Sequence, residues 1–259
     1  MHRCRTVRVR ASLIPLVALM ALAVPSTQLA DACVGCCYET FGDAPYDLEK
    51  FHAVLDRAWL QAPTSSPKKV DIGDYDGRSF WCFYLSAGRY MTFRIEGEGY
   101  RSELRQAEQW DTATTVWRKM IGRVKLFEPD ASVDEFTFMQ VHHKSSADGY
   151  DIGPLVRLVW KRSTVAGEPN HLWAILRTNL AVDGTYEIFD LGAHPGGFFK
   201  AEIKVKEGDL RVKIDDITLV SEDVSYWNGL ETYFKAGVYN QSPGHAKVQF
   251  DSLKFYGGL

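Results

Sequence analysis

Beyond residue 70 the chain reads as one all-β domain, an antiparallel sandwich or barrel. Two observations predict this. Segments that alternate apolar and polar residues recur along the chain with turn residues between them, and no long helical pattern interrupts them. The segments are 79–85, 90–95, 100–106, 120–127, 135–144, 155–161, 171–179, 185–191, 199–205, 210–214, 233–241 and 246–255. No linker, break in composition or internal repeat divides them, so residues 71–259 read as a single unit.

The stretch before them differs. Arg3, Arg5, Arg8 and Arg10 precede an apolar run from Ala11 to about Val24, and Ala30-Asp-Ala32 closes it. That pattern predicts a secretory signal over residues 1–32, too short and too soon interrupted for a membrane anchor. Residues 33–70 read as an N-terminal arm with a cysteine cluster. Within it, Phe51, Val54, Leu55, Ala58 and Trp59 give partial helical spacing over Leu48 to Leu60. Export favours disulfides. Cys33, Cys36, Cys37 and Cys82 allow three pairings, and a bridge from the cluster to Cys82 would tie the arm to the body. A metal site at Cys33, Cys36 and Cys37 has no supporting His pattern.

The whole chain has a formal net charge of −3, and removing residues 1–32 takes it to −6. That balance argues against nucleic acid as a partner. It leaves room for an anionic ligand wherever Arg and Lys cluster.

Three segments put cationic or other polar groups together on one strand face. In Tyr233-Phe-Lys-Ala-Gly-Val-Tyr-Asn-Gln241, the two-residue period of a strand puts Tyr233, Lys235, Gly237, Tyr239 and Gln241 on one face. Phe234, Ala236, Val238 and Asn240 take the other, which suits a core. Gly237 is expected to leave a gap on the polar face in which a ligand can approach the backbone. In Tyr100-Arg-Ser-Glu-Leu-Arg105, Arg101, Glu103 and Arg105 share a face, with Glu103 expected to hold both guanidiniums. Such a pair of planar forks suits carboxylates. In Phe136-Thr-Phe-Met-Gln-Val-His-His143, Gln140 and His142 share a face with Phe138. An amide and an imidazole there can bind a carboxyl oxygen and exchange a proton. Asn240-Gln-Ser242 matches a glycosylation sequon, but Asn240 is on the apolar side and no sugar is expected.

The segments Arg101-Ser-Glu-Leu-Arg105, Gln140-Val-His142 and Tyr233 to Gln241 together resemble the three signature motifs of polysaccharide lyase family 7, the alginate lyases. The resemblance runs from about residue 90 to the C-terminus, and the cysteine cluster departs from it. It implies a β-jelly-roll sandwich with a concave groove for an anionic polyuronate. It further implies endolytic β-elimination leaving 4,5-unsaturated ends, with no cofactor or metal. Arg101, Gln140, His142 and Tyr239 match the family's catalytic positions. Glu103, Arg105, Lys235 and Gln241 match groups that line the substrate subsites. Val141 between Gln140 and His142 leans toward mannuronate. The protein so read is a secreted monomer, extracellular or periplasmic, that binds no nucleic acid and, once the signal is cut, no membrane. The alternatives are a glucuronan lyase, a non-catalytic carbohydrate-binding module and a glycoside hydrolase. The last needs two carboxylates across the bond, and Glu128-Pro-Asp130 starts such a strand without completing it.

Overall fold

A computed structural model describes Cys37 and residues 40–144, 152–163 and 169–257. The proposed signal, its cleavage site, Cys33 and Cys36 lie outside the described residues. Two antiparallel sheets face each other. The first, which carries the site and is called the groove sheet, has eight strands. In spatial order they are β10 (Tyr186–Ala193), β9 (His171–Arg177), β8 (Pro154–Lys161), β7 (Glu135–His143), β14 (Thr232–Asn240), β5 (Arg101–Gln106), β1 (Ala58–Gln61) and β2 (Lys68–Val70). The outer sheet has seven: β13 (Ile217–Asp223), β12 (Asp209–Ile214), β11 (Phe199–Lys206), β6 (Arg118–Leu126), β15 (His245–Tyr256), β4 (Tyr90–Glu96) and β3 (Phe83–Ser86). The chain crosses between sheets from β2 to β3, β4 to β5, β5 to β6, β6 to β7, β10 to β11, β13 to β14 and β14 to β15, as a jelly roll does.

The core lies between the sheets. Phe138 of β7 meets Phe199 of β11 with ring centroids 6.0 Å apart, and Phe234 of β14 meets Phe255 of β15 at the same spacing. Phe234, Ala236, Val238 and Asn240 are fully buried, so the inward face of β14 is the one that alternation assigns. Asn240 is sealed there, its amide donating to the Gly244 carbonyl at 2.8 Å, which leaves the sequon no access to solvent.

Every strand expected from alternation is present, with ends moved by a few residues. Three more were not expected: β1, β2 and β13. The helical spacing over Leu48 to Leu60 yields only α1 (Glu49–Leu55), whose Phe51, Val54 and Leu55 are buried. Ala58–Gln61 leave the helix because they pair with β5, Trp59 opposite Arg105 and Gln61 opposite Glu103. A boundary at residue 70 is therefore too late, since β1 and β2 extend the groove sheet. Cys37 is joined to Cys82 by a disulfide, which tethers the segment ahead of α1 to the residue preceding β3. Among the described residues no helix is long and apolar enough to cross a membrane.

Candidate active site

The three polar segments become three adjacent strands, β7–β14–β5, at the middle of the groove sheet. Register aligns them in rows. His142 is opposite Tyr233; Gln140 is opposite Lys235, which is opposite Arg105; Thr137 is opposite Tyr239, which is opposite Arg101. Side chains opposite one another on one face of a sheet touch, so sequence-distant residues meet here.

Two irregularities tune the rows. At Phe138 the register slips against both neighbours, so that Gly237 and Val238 together oppose one residue of β7. Such a bulge lets two successive side chains point the same way. Phe138 and Met139 both enter the core. This corrects the expectation that Phe138 shares the face of Gln140 and His142. Gly237 has a φ of +145°, and a Cβ there would lie 2.2 Å from the Ser102 carbonyl and 2.7 Å from Glu103 Cα. The glycine is required by the close approach of β5, not by room for a ligand as alternation suggested.

Glu103 is the anchor of the site, with 1% of its surface exposed. Its Oε1 accepts from Gln140 Nε2 at 2.6 Å, and its Oε2 pairs with Lys235 Nζ at 2.5 Å and Arg101 Nη1 at 3.5 Å. Burial pushes the Glu103 pKa up, but the charges of Lys235 and Arg101 and the bonds from Lys235 and Gln140 outweigh it and hold it below the usual value. Burial lowers Lys235 to about 8, with Glu103 opposing and Arg101 and Arg105 adding to the fall. The two are in ion-pair contact. Arg105 is not its partner, contrary to the expectation that Glu103 holds both guanidiniums. The Arg105 guanidinium lies between the rings of Tyr233 at 3.7 Å and Trp59 at 4.2 Å, a cation–π sandwich.

Above this layer lies a cleft of about 310 Å³ lined by Arg101, Gln140, His142, Tyr239 and Gln241, with Pro154, Arg157 and Tyr186. The four residues matched to catalytic positions thus converge on one cleft. Glu103 and Lys235 are not among its lining residues; they form the layer that holds Arg101 and Gln140. Arg105 lines a second cleft of about 480 Å³ on the same face, with Tyr233, Trp59, Lys68 and Lys144. Gln241 follows β14 and accepts from the Thr137 hydroxyl at 2.7 Å.

Two contacts orient Tyr239 and His142. The Arg101 guanidinium sits over the Tyr239 ring at 4.3 Å. The His142 ring stacks on Tyr233, centroids 5.6 Å apart, and its Nδ1 is 2.8 Å from the His143 carbonyl. A carbonyl only accepts, so Nδ1 carries the proton and Nε2 holds the lone pair of the neutral ring. Among the described residues no carboxylate lines the cleft, and no group of three His, Cys, Asp or Glu is placed to hold a metal. Arg157 and Tyr186 were not singled out from sequence. Alternation along β8 does put Arg157 and Lys161 on the face opposite Leu158 and Trp160, but nothing in a single strand says which sheet face they share.

A jelly-roll sandwich with a cation-lined groove, and an imidazole and a phenol in one cleft, fits one class, the polysaccharide lyases. Residues 55–257 match the family model described as alginate lyase, and the chain belongs to that family, polysaccharide lyase family 7. An alginate lyase of Photobacterium sp. is 27% identical over 250 residues, which cover 82% of this chain and 87% of that one. The solved structure of alginate lyase AlyC3 superposes with a TM-score of 0.75 at 26% identity, over 83% of this chain and 95% of that one. Its complex with dimannuronate gives 0.74 at 25% identity, over 83% and 94%. A further family 7 crystal structure shares the fold, with a TM-score of 0.65 at 23% identity over 80% and 97%.

Proposed function

We propose that the protein is exported and, as a monomer, cuts alginate within the chain by β-elimination, preferring mannuronate. The observation that carries this reading is the convergence of Arg101, Gln140, His142 and Tyr239 on one cleft. In a uronate the C5 proton is weakly acidic. Donors at the C6 carboxylate stabilise the charge that builds as that proton leaves. Arg101 and Gln140 supply these donors, fixed from behind by Glu103. A base takes the C5 proton, the C4–O bond breaks, and an acid protonates the bridging oxygen. The product carries a C4=C5 double bond.

Mannuronate and guluronate place different demands on the same residues. In mannuronate the C5 proton and the leaving oxygen lie on one side of the ring, so the Tyr239 phenol can take the proton as phenolate and return it to the oxygen. In guluronate they lie on opposite sides. Neutral His142, with its lone pair at Nε2, then serves as base and Tyr239 as acid. The dimannuronate complex of a relative at 25% identity supports the mannuronate preference, and Val141 at the core side of Gln140 and His142 agrees with it. Two clefts along one sheet face support endolytic action, because a polymer can enter the groove between its ends.

The test is to incubate the protein with mannuronate-rich alginate, guluronate-rich alginate and glucuronan side by side. The rise in ultraviolet absorbance of unsaturated uronate and the product lengths are recorded. The expected result is a rise fastest on mannuronate-rich polymer with oligomers of several lengths early on. Reducing ends without that absorbance mean a hydrolase, binding without either means a carbohydrate module, and a response to glucuronan alone moves the substrate class.

A further inference from the structure

The catalytic cleft has a second cation on its wall. Arg157 lies opposite Gln140 in register and lines the same cleft as Arg101 and Tyr239. Its Nη1 donates to Glu135 Oε1 at 3.0 Å and lies 3.5 Å from the Thr137 hydroxyl. Glu135 is neutralised from behind by Lys161, whose Nζ is 2.6 Å from Oε2. Nε and Nη2 of Arg157 make no hydrogen bond with the described residues, and neither is a buried atom lacking a partner. Those two nitrogens form one edge of the guanidinium, the edge that takes a carboxylate through two parallel bonds.

The arrangement repeats the one on the other side of the cleft. Arg101 is held by Glu103, and Glu103 is neutralised by Lys235. In both triads a lysine cancels the carboxylate that orients an arginine toward the cleft. They differ in depth, Glu135 being 16% exposed where Glu103 is 1%. They also differ in place. Three strand spacings separate β8 from β5, ~14 Å at the backbone, so the two forks reach the cleft from different sides and can hold carboxylates of different sugars of one chain.

We infer that Arg157 binds the carboxylate of the uronate adjoining the one that is cleaved, with Glu135 and Lys161 as its positioning residues. This rests on the polyuronate-lyase reading given above, and adds a subsite to it. Nη1 is committed to Glu135, while Nε and Nη2 have no protein acceptor among the described residues and the side chain lines the cleft.

The test compares wild type with Arg157→Ala, Arg157→Lys and Glu135→Gln on alginate. Hydrogen bonds to charged groups set the expected scale: KM rises about tenfold or more in Arg157→Ala, with kcat changing far less. Lysine restores part of the loss as a point charge that cannot bind through two bonds. Glu135→Gln gives a smaller KM rise with Arg157 still present. Binding of mannuronate oligomers by calorimetry, in a Tyr239→Phe background with and without Arg157→Ala, reads the same effect without turnover. Arg157→Gln serves if the alanine variant does not fold. KM and oligomer affinity within about twofold of their parents overturn the inference, as does a loss confined to thermal stability. Wild type that binds oligomers through Arg157 but yields no unsaturated product counts against the lyase reading and not against this subsite.

Discussion

Glu103 and Asp251 each gather three side-chain partners, on opposite sheets. Glu103 takes Arg101, Gln140 and Lys235 beneath the groove. Asp251, on the outer sheet, takes Lys50 at 3.3 Å, Arg89 at 3.1 Å and Arg123 at 2.6 Å. The partners of Asp251 are all in contact with solvent, and none of them lines either groove cleft. Those of Glu103 are pinned, and two of them present their remaining atoms to a cleft. Converging charges are therefore not a site in themselves. They become one where a buried carboxylate fixes its partners and a cavity receives them.

Breaking the two clusters should separate these roles. Glu103→Gln is the larger perturbation, because it leaves Lys235 and Arg101 without their counter-charge in a buried layer. A loss of about 3–5 kcal/mol is expected, read by urea unfolding, together with a fall in alginate turnover as Arg101 and Gln140 lose their anchor. Full stability in that variant would contradict the buried ion pair. Gly237→Ala comes next. Its Cβ would press on the Ser102 carbonyl at 2.2 Å and its φ is positive, so about 1–3 kcal/mol is expected, with a lower melting temperature. An unchanged melt would mean that β5 and β14 are not so close. Asp251→Asn is the smallest, about 1–2 kcal/mol at neutral pH with turnover retained.

The pH dependence of that last effect has a definite sign. Burial raises the Asp251 pKa, but hydrogen bonds from Arg89, Arg123 and Lys50 pull it to about 2, below the ordinary carboxylate value. Its stabilisation is complete above about pH 4 and is lost as pH falls toward 2. Wild type should lose more stability across that window than Asp251→Asn does, measured by chemical unfolding at stepped pH. Parallel curves would remove Asp251 from the account of acid sensitivity.

Alternation revealed the expected strands and the inward face of β14, because burial on one side of a sheet imposes a two-residue period. It failed where that period breaks or carries no contrast. The bulge at Phe138 reverses the period between Thr137 and Gln140, and no residue type marks it. In β13, Ile217 and Leu219 are exposed and the Asp215-Asp216 turn contains no glycine, so neither a dry face nor a turn signal stood out. Ala58 and Trp59 fit a helical face until pairing with β5 claims them. Of the residues lining the cleft, Arg101, Gln140, His142, Tyr239 and Gln241 belong to three motifs legible in the sequence, but Arg157, Tyr186 and the grouping were not legible. That Glu103 binds Lys235 and Gln140, while Arg105 stacks between Trp59 and Tyr233, depends on strand order. The triad of Arg157, Glu135 and Lys161 depends on it too, since β7 and β8 meet only in the sheet.

The most direct measurement is the absorbance of unsaturated uronate released from alginate by wild type and by Tyr239→Phe, with oligomer binding measured on both. Removing one phenolic oxygen should lower turnover about a thousandfold while binding stays close to that of wild type. If Tyr239→Phe releases product at a near-normal rate, proton transfer does not pass through Tyr239, and convergence on this cleft does not explain the chemistry.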